Sequence, residues 1–451
     1  METQEVELSL APTALLTRCA AQPYAFALDG GSHASWGTGE ALLGWRPRAT
    51  LRVLPSGDAT MSDGERMQSW RGDPFALLDR FRAQWCGAGR ATVPHAGGIL
   101  VALSYDLRHW IERLAPRRVA EALPVLHAAY YDWVLAYSYH RRRYEVASSV
   151  YSARELRGLA AELRSLAALP SPAPTARAPV RVDTDFTKPR YLAAVQRALD
   201  YIAAGDAYQI NLAQRFTANS TAAPAMLFAH MQRHPVPFAA YIDGGSFVLV
   251  SNSPECFLRL RNREVATCPI KGTRPRGHDP GSDRQLQDEL RSSTKDNAEH
   301  VMIVDLERND LGRVCRTGSV RVAESARVHT FPSVHHLVST VRGDLYPQVS
   351  LAELLRATFP GGSITGAPKV RAMQIIDELE PVARGFYTGA MGFIGADGSA
   401  TFNLTIRTAI AIDGRFTYHA GGGIVADSVP EREYDESLLK ATPFFEALEA
   451  L

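Results

Sequence analysis

Residues 237–273, PFAAYIDGGSFVLVSNSPECFLRLRNREVATCPIKGT, alternate apolar and polar side chains, with Asp243-Gly244 placed where a hairpin would turn. A side-chain period of two buries one face of each run, so the segment predicts successive antiparallel strands. Aromatic and β-branched content marks YAFALDGG at 24–31, GGILVALSYD at 97–106 and HAAYYDWVLAYSY at 127–139 as strand-like, and further strands are expected near 391–411 and 415–425. Helical spacing appears in 152–169, where Leu156, Leu159, Leu163 and Leu166 share one face. It recurs from 187, with Pro189 near the start and Gly205 near the end, at about 294–308 and at about 431–448. Strands and helices come in blocks without strand–helix–strand alternation, so the expected class is α+β with large antiparallel sheets.

The Pro/Ala-rich LPSPAPTARAPV at 169–180 cannot hold a helix. It predicts a subdomain at 1–168, a crossing segment at 169–186 and a second region at 187–451. With 46% hydrophobic and 22% charged residues, the 451-residue chain reads as an ordinary globular protein. A formal charge of +1 gives no broad basic field, so neither nucleic acid nor an anionic membrane is an expected partner. Apolar runs stop short of a spanning length and METQEVELSL does not resemble a secretion signal, so a cytoplasmic location is expected. The five cysteines are scattered, without a C-x-x-C pair, which argues against a disulfide framework or a zinc site.

Among the basic residues, 44 are Arg and five are Lys, at 188, 271, 295, 369 and 440. A guanidinium cannot act as a nucleophilic amine or a compact point charge, so these lysines are the first candidates for chemistry. Lys271, in CPIKGTRPRG, ends an apolar strand. Desolvation there would lower its pKa from ~10.4 and make a neutral amine available, unless the side chain simply snorkels. Asp296 and Glu299 are three apart on one predicted helix and Glu433 and Glu436 on another, with Lys440 one turn beyond Glu436. Facing each other, the two pairs would make an oxygen-rich Mg²⁺ site; apart, they are solvated helix faces. FPGGSITGAPK at 359–369 is not a phosphate loop, because Ala367 and Pro368 stand where Lys and Ser or Thr are required. It reads either as a turn offering N–H groups and hydroxyls to a ligand or as a structural turn.

In order along the chain, SPE at 253–255, PIKGTRPRG at 269–277, DNAEHVMIVDLERNDLGRV at 296–314, HHLVSTVRG at 335–343, FPGGSITGAPKVRAMQIIDELEP at 359–381, FYTGAMGFI at 386–394, IRTAI at 406–410 and AGGGIVADSVPEREYDESLLKA at 420–441 resemble the chorismate-utilising enzymes. The resemblance implies a fold of two interlocked subdomains with packed antiparallel sheets and outer helices. It implies Mg²⁺ held by Glu299 and Glu436, supported by Asp296 and Glu433, on the ring carboxylate of chorismate. Substrate contacts are implied for Arg407, Tyr387, Thr365, Gly421, Gly422, Gly423, Lys440 and Gln209. Catalytic roles are implied for Glu255 as acid and base at ring C4, for Lys271 as nucleophile, and for His336 in protonating the leaving group or in a structural role beside the site.

PIKGT resembles the aminodeoxychorismate synthase branch, which aminates C4, whereas anthranilate synthases carry alanine where Lys271 stands. Gln209 replaces the lysine that activates water in isochorismate and salicylate synthases, which disfavours water addition. A C2-aminating anthranilate synthase and a non-catalytic chorismate-binding relative are the alternatives. The resemblance further implies a separate glutamine amidotransferase subunit as ammonia source and a downstream aminodeoxychorismate lyase, since neither motif is in the chain. Tryptophan, which some relatives bind beside the segment matching 234–241, is disfavoured because Gly30 replaces their serine.

Overall fold

Antiparallel pairing organises the chain into two sheets, each of twelve strands. The computed structural model describes residues 2–32, 37–86, 95–115, 118–120, 122–171, 180–331 and 334–450. The first sheet runs in the order Glu2–Val6, Arg143–Ser148, Trp133–Ser138, Glu40–Gly44, Phe26–Asp29, Phe238–Asp243, Val248–Ser253, Thr408–Ile412, Arg415–Ile424, Gln209–Asn219, Val182–Thr184. The second runs from Ile270–Pro275 through Val334–Asp344, Glu264–Cys268, Cys256–Arg261, Ala400–Leu404, Ala390–Gly395, Gly98–Leu103, Leu126–Tyr131 and Ala49–Val53 to Asp58–Ser62 and Met67–Arg71. Strands from before residue 150 and after residue 200 therefore stand in both sheets, joined where Phe26–Asp29 pairs with Phe238–Asp243 and Gly98–Leu103 with Ala390–Gly395.

An apolar layer containing Phe26, Leu100, Tyr131, Ile242, Leu249, Met391 and Phe393 draws on both sheets, which thus pack face to face. Phe26 lies 4.7 Å from Tyr131 and 5.9 Å from Phe393, ring to ring. Helices cover the outer faces: Ala153–Ala167 and Pro430–Glu449 pack with the first sheet, and Pro74–Trp85 and Leu351–Thr358 with the second. The α+β class and its antiparallel sheets follow the period-two reading. HAAYYDWVLAYSY differs from it: Leu126–Tyr131 belongs to the second sheet and Trp133–Ser138 to the first, with Asp132 between them. Most of the 169–180 stretch lies outside the described residues, and Val182–Thr184, within the expected crossing segment, is an edge strand.

Two other segments pass between the sheets and matter for function. Residues 254–255 carry the chain from Val248–Ser253 to Cys256–Arg261, and residues 405–407 carry it from Ala400–Leu404 to Thr408–Ile412. The two crossings are tied together: Leu404 N donates to Glu255 O at 3.1 Å, and Asn252 N donates to Arg407 O at 2.9 Å. Glu255 and Arg407 are thus fixed side by side where backbone leaves one sheet for the other.

Candidate active site

Lys271 projects from the edge strand Ile270–Pro275, whose register against Val334–Asp344 shifts between Lys271 and Thr273. The irregularity is at Gly272, with φ +70°, where a Cβ would meet Leu290 Cδ1 at 2.8 Å and Asp296 Cβ at 3.1 Å. Only glycine satisfies both the left-handed backbone and the space, and the resulting bulge re-aims the lysine out of strict alternation. Half-buried Lys271 is held below its ordinary pKa by burial, against the opposing pull of Glu299 and Glu255; Lys440 adds to the lowering. These partners bring together residues from three distant parts of the sequence.

Glu255 is buried, accepts from Ser363 Oγ at 2.7 Å, and is pushed above the ordinary carboxylate range by burial. Lys271 and Arg407 act on it in the opposite direction. His336 is buried opposite Thr273, with Nδ1 2.9 Å from Thr273 Oγ1. Burial and Arg407 lower its pKa to about 3, so it is neutral imidazole at physiological pH. Arg407 occupies a left-handed conformation, φ +50°, and is lowered by burial from the ordinary guanidinium value.

The carboxylates are arranged on two helices. Glu299, on Thr294–Gly312, is raised by burial and stands 3.9 Å from Lys295 Nζ. On Pro430–Glu449, Glu436 Oε1 is 2.7 Å from Lys440 Nζ, which also donates to Gly421 O at 2.9 Å. Glu436 is exposed; packing around it opposes the charge, but Lys440 prevails and holds the carboxyl below its ordinary value. Asp296 accepts from Arg274 Nη2 at 3.1 Å, and Glu433 accepts from Ser428 Oγ at 2.6 Å. Among the described residues, no three His, Cys, Asp or Glu side chains converge on a single metal position. The donor set, all oxygen, nonetheless fits a hard divalent cation. A Cβ at residue 422 would lie 2.8 Å from Glu433 Oε2 and 3.6 Å from Glu436 Oε1, so Gly422 leaves room beside both carboxylates.

The strand Arg415–Ile424, which carries Gly422, pairs with Gln209–Asn219 beside these carboxylates. Gln209 is fully buried, and neither atom of its side-chain amide has a hydrogen-bond partner. It lies against Gly423, where a Cβ would come within 3.0 Å of Gln209 Cδ. Gly421–Gly423 run antiparallel to Asn211–Ala213. Tyr387 is buried and stacked on His419 at 5.0 Å, and burial pushes its hydroxyl up to about 12. Thr365 uses its hydroxyl to close its own turn, donating to Gly361 O at 3.0 Å, and its carbonyl accepts from Asn211 N. Of the FPGGSITGAPK turn, Ser363 is the side chain that reaches Glu255. Lys369 instead pairs with Asp310 at 2.6 Å behind the cleft.

The sequence singles out neither Ser363 nor the buried pair Glu380–Arg384. Ser363 lies inside a turn marked by its hydroxyls, so it carries a signal. Nothing set Arg384 apart from the other arginines.

A desolvated lysine on an edge strand, a buried acid where the chain changes sheets and carboxylates on two nearby helices form one cluster of ionisable groups. The family model described as chorismate binding enzyme matches residues 32–446, and the chain belongs to that family. Aminodeoxychorismate synthase component 1 of Klebsiella aerogenes is 41% identical over 90% of this chain and 89% of its own length. Anthranilate synthase component 1 of Thermus thermophilus is 40% identical, covering 91% and 89%. The crystal structure of anthranilate synthase component I from Streptococcus pneumoniae superposes with a TM-score of 0.80 at 29% identity, covering 90% of this chain and 92% of that one.

Proposed function

We propose that this enzyme is the chorismate-aminating component of an aminodeoxychorismate synthase, a transferase that places an amino group at ring C4 and retains the enolpyruvyl group. The observation that carries the reading is Lys271, desolvated at a bulge and electrostatically coupled to Glu255 and Glu299. The neutral amine adds at C2; the two ring double bonds shift; the C4–O bond breaks, and the hydroxyl leaves as water with a proton from Glu255. Ammonia then attacks C4, the double bonds shift back and the C2–N bond breaks, returning the electron pair to Lys271. Glu255, now a carboxylate, takes the proton that ammonia sheds. Burial suits both groups, since it favours the uncharged amine and the protonated acid.

Arg407, Tyr387 and the Gly421–Gly423 backbone line the wall that receives the enolpyruvyl carboxylate, Gln209 stands beside it, and His336, neutral and bonded to Thr273, takes the structural role beside the site. Glu299 and Glu436, with Asp296 and Glu433 behind them, would hold Mg²⁺, which when bound neutralises the ring carboxylate. Ammonia comes from a separate glutamine amidotransferase subunit, and a lyase acts next to give 4-aminobenzoate for folate synthesis in the cytoplasm. Among the described residues, no helix is long and apolar enough to cross a membrane.

The second reading, anthranilate synthase, is favoured by the relatives at 40% identity and by the Streptococcus structure. Lys271 weighs against it by filling the space that ammonia needs at C2. Product identification from chorismate, Mg²⁺ and excess ammonium decides: a product retaining the enolpyruvyl group supports the proposal, and anthranilate with pyruvate overturns it. Loss of turnover on chelation, restored by Mg²⁺, tests the cation; full turnover in excess chelator removes it.

A further inference from the structure

Behind the substrate wall lies an ion pair that takes no part in the chemistry above. Arg384 and Glu380 are both buried, 2% and 4% exposed, and form two hydrogen bonds, Nε to Oε2 at 2.8 Å and Nη2 to Oε1 at 2.6 Å. The remaining hydrogen bonds of the pair go to three separate segments. Arg384 Nη2 donates to Asn211 O at 2.6 Å, and Glu380 Oε1 accepts from Ala213 N at 2.9 Å, fixing the strand that begins at Gln209. Arg384 Nη1 donates to Ile364 O at 3.3 Å, next to Thr365, and to Thr388 Oγ1 at 3.1 Å, next to Tyr387. The guanidinium also lies 5.4 Å from the centre of the Tyr387 ring. Thr388 N in turn donates to Thr405 O, two residues before Arg407.

We infer that Arg384, locked by Glu380, is the positioning residue of the substrate wall: one planar fork holds the segments bearing Gln209, Thr365 and Tyr387 in a single register, and the backbone of Thr388 ties the segment of Arg407 to them. This rests on the reading of the cleft as a chorismate site. A planar guanidinium with five fixed donors can serve several carbonyls at once, and an ammonium cannot reproduce that geometry. The pair touches no reacting atom, so its loss acts through binding of chorismate rather than through the bond-making step.

The test separates positioning from stability. Replacing both partners of a buried ion pair with apolar residues of similar volume often preserves stability. The double variant Glu380→Met/Arg384→Met is therefore expected to fold with a thermal midpoint near that of the wild type. With saturating ammonium, its KM for chorismate should rise about tenfold or more while kcat changes by less than about threefold. Arg384→Lys keeps the charge opposite Glu380 but not the fork, and should show the same split. An unchanged KM in either folded variant overturns the inference. Failure of both variants to fold also overturns it, by marking the pair as a folding element. A wild type that does not turn over chorismate removes the functional reading, whereas a wild type that does, beside variants with unchanged KM, removes only this inference.

Discussion

Lys271 and Lys369 both stand in motifs of the region after residue 187, yet their surroundings differ in kind. Lys369 Nζ donates to Asp310 Oδ2 at 2.6 Å and to Thr358 O at 3.2 Å, in a packed region behind the cleft. Around Lys271, Glu255 and Glu299 act through space, and among the described residues neither closes to the 4 Å of an ion pair. A lysine with fixed acceptors is a structural cation. A desolvated lysine bracketed by carboxylates that do not bind it can lose and regain its proton, and that is what a nucleophile requires.

The largest effect that could break this contrast is on rate. Lys271→Ala should lower C4 amination by roughly a thousandfold or more, the order seen when a nucleophile acting within a catalytic unit is removed. Any residual turnover should give some anthranilate as ammonia reaches C2. Unchanged rate and product, measured by chromatography with mass detection, would place Lys271 with Lys369 as a structural residue.

Glu255→Gln should cost about 10²–10⁴-fold in kcat, the usual contribution of a positioned general acid. The pH profile sharpens the point. On the proposed mechanism only molecules with neutral Lys271 and protonated Glu255 react, so the rate rises with pH at the acid end and falls at the alkaline end. Burial lowers the lysine and raises the carboxyl, which enlarges the reactive fraction. In the glutamine variant the alkaline fall should vanish; its persistence would assign that limb to another group.

Lys369→Met should act on stability instead. It leaves Asp310 buried without its cation, a loss of about 3–5 kcal/mol for breaking one side of a buried pair. Chemical denaturation should report that loss while the folded fraction keeps its product and nearly its full rate. A large fall in kcat without loss of stability would erase the distinction between the two lysines.

The sequence made part of this contrast visible. Period-two alternation exposed the strands, and block order exposed the α+β class, because both depend on local burial. The sheet exchanges at Asp132, at 254–255 and at 405–407 were hidden, since a kink between sheets needs no special composition. Lysine scarcity pointed to Lys271 and Lys440, but equally to Lys369, because composition cannot report which ammonium finds an acceptor. Arg384 was masked by the abundance of arginine, and its importance is set by carbonyls at Asn211 and Ile364 that are distant in sequence. Gly272 was legible as part of a motif, but its reason, a left-handed bulge against Asp296, depends on tertiary structure.

The smallest expected effect is the most local. His300 follows Glu299 on the same helix, is buried, and has Nε2 2.6 Å from Ser339 Oγ. Burial first, and then the charge of Lys271, lower its pKa to about 4. Below the ordinary histidine pKa of ~6.5 the unfolded chain takes up a proton that folded His300 refuses, so its contribution to stability is lost as pH falls from there toward about 4. Removing the ammonium in Lys271→Met takes away one of the two causes, so the His300 titration, followed by NMR, should move upward by a fraction of a unit. Lys369→Met should leave it where it is, because the charge removed there lies opposite Asp310. An unmoved His300 in the Lys271 variant would mean that the Lys271 ammonium does not reach the carboxylate helix, and the coupling that separates the two lysine sites would be lost.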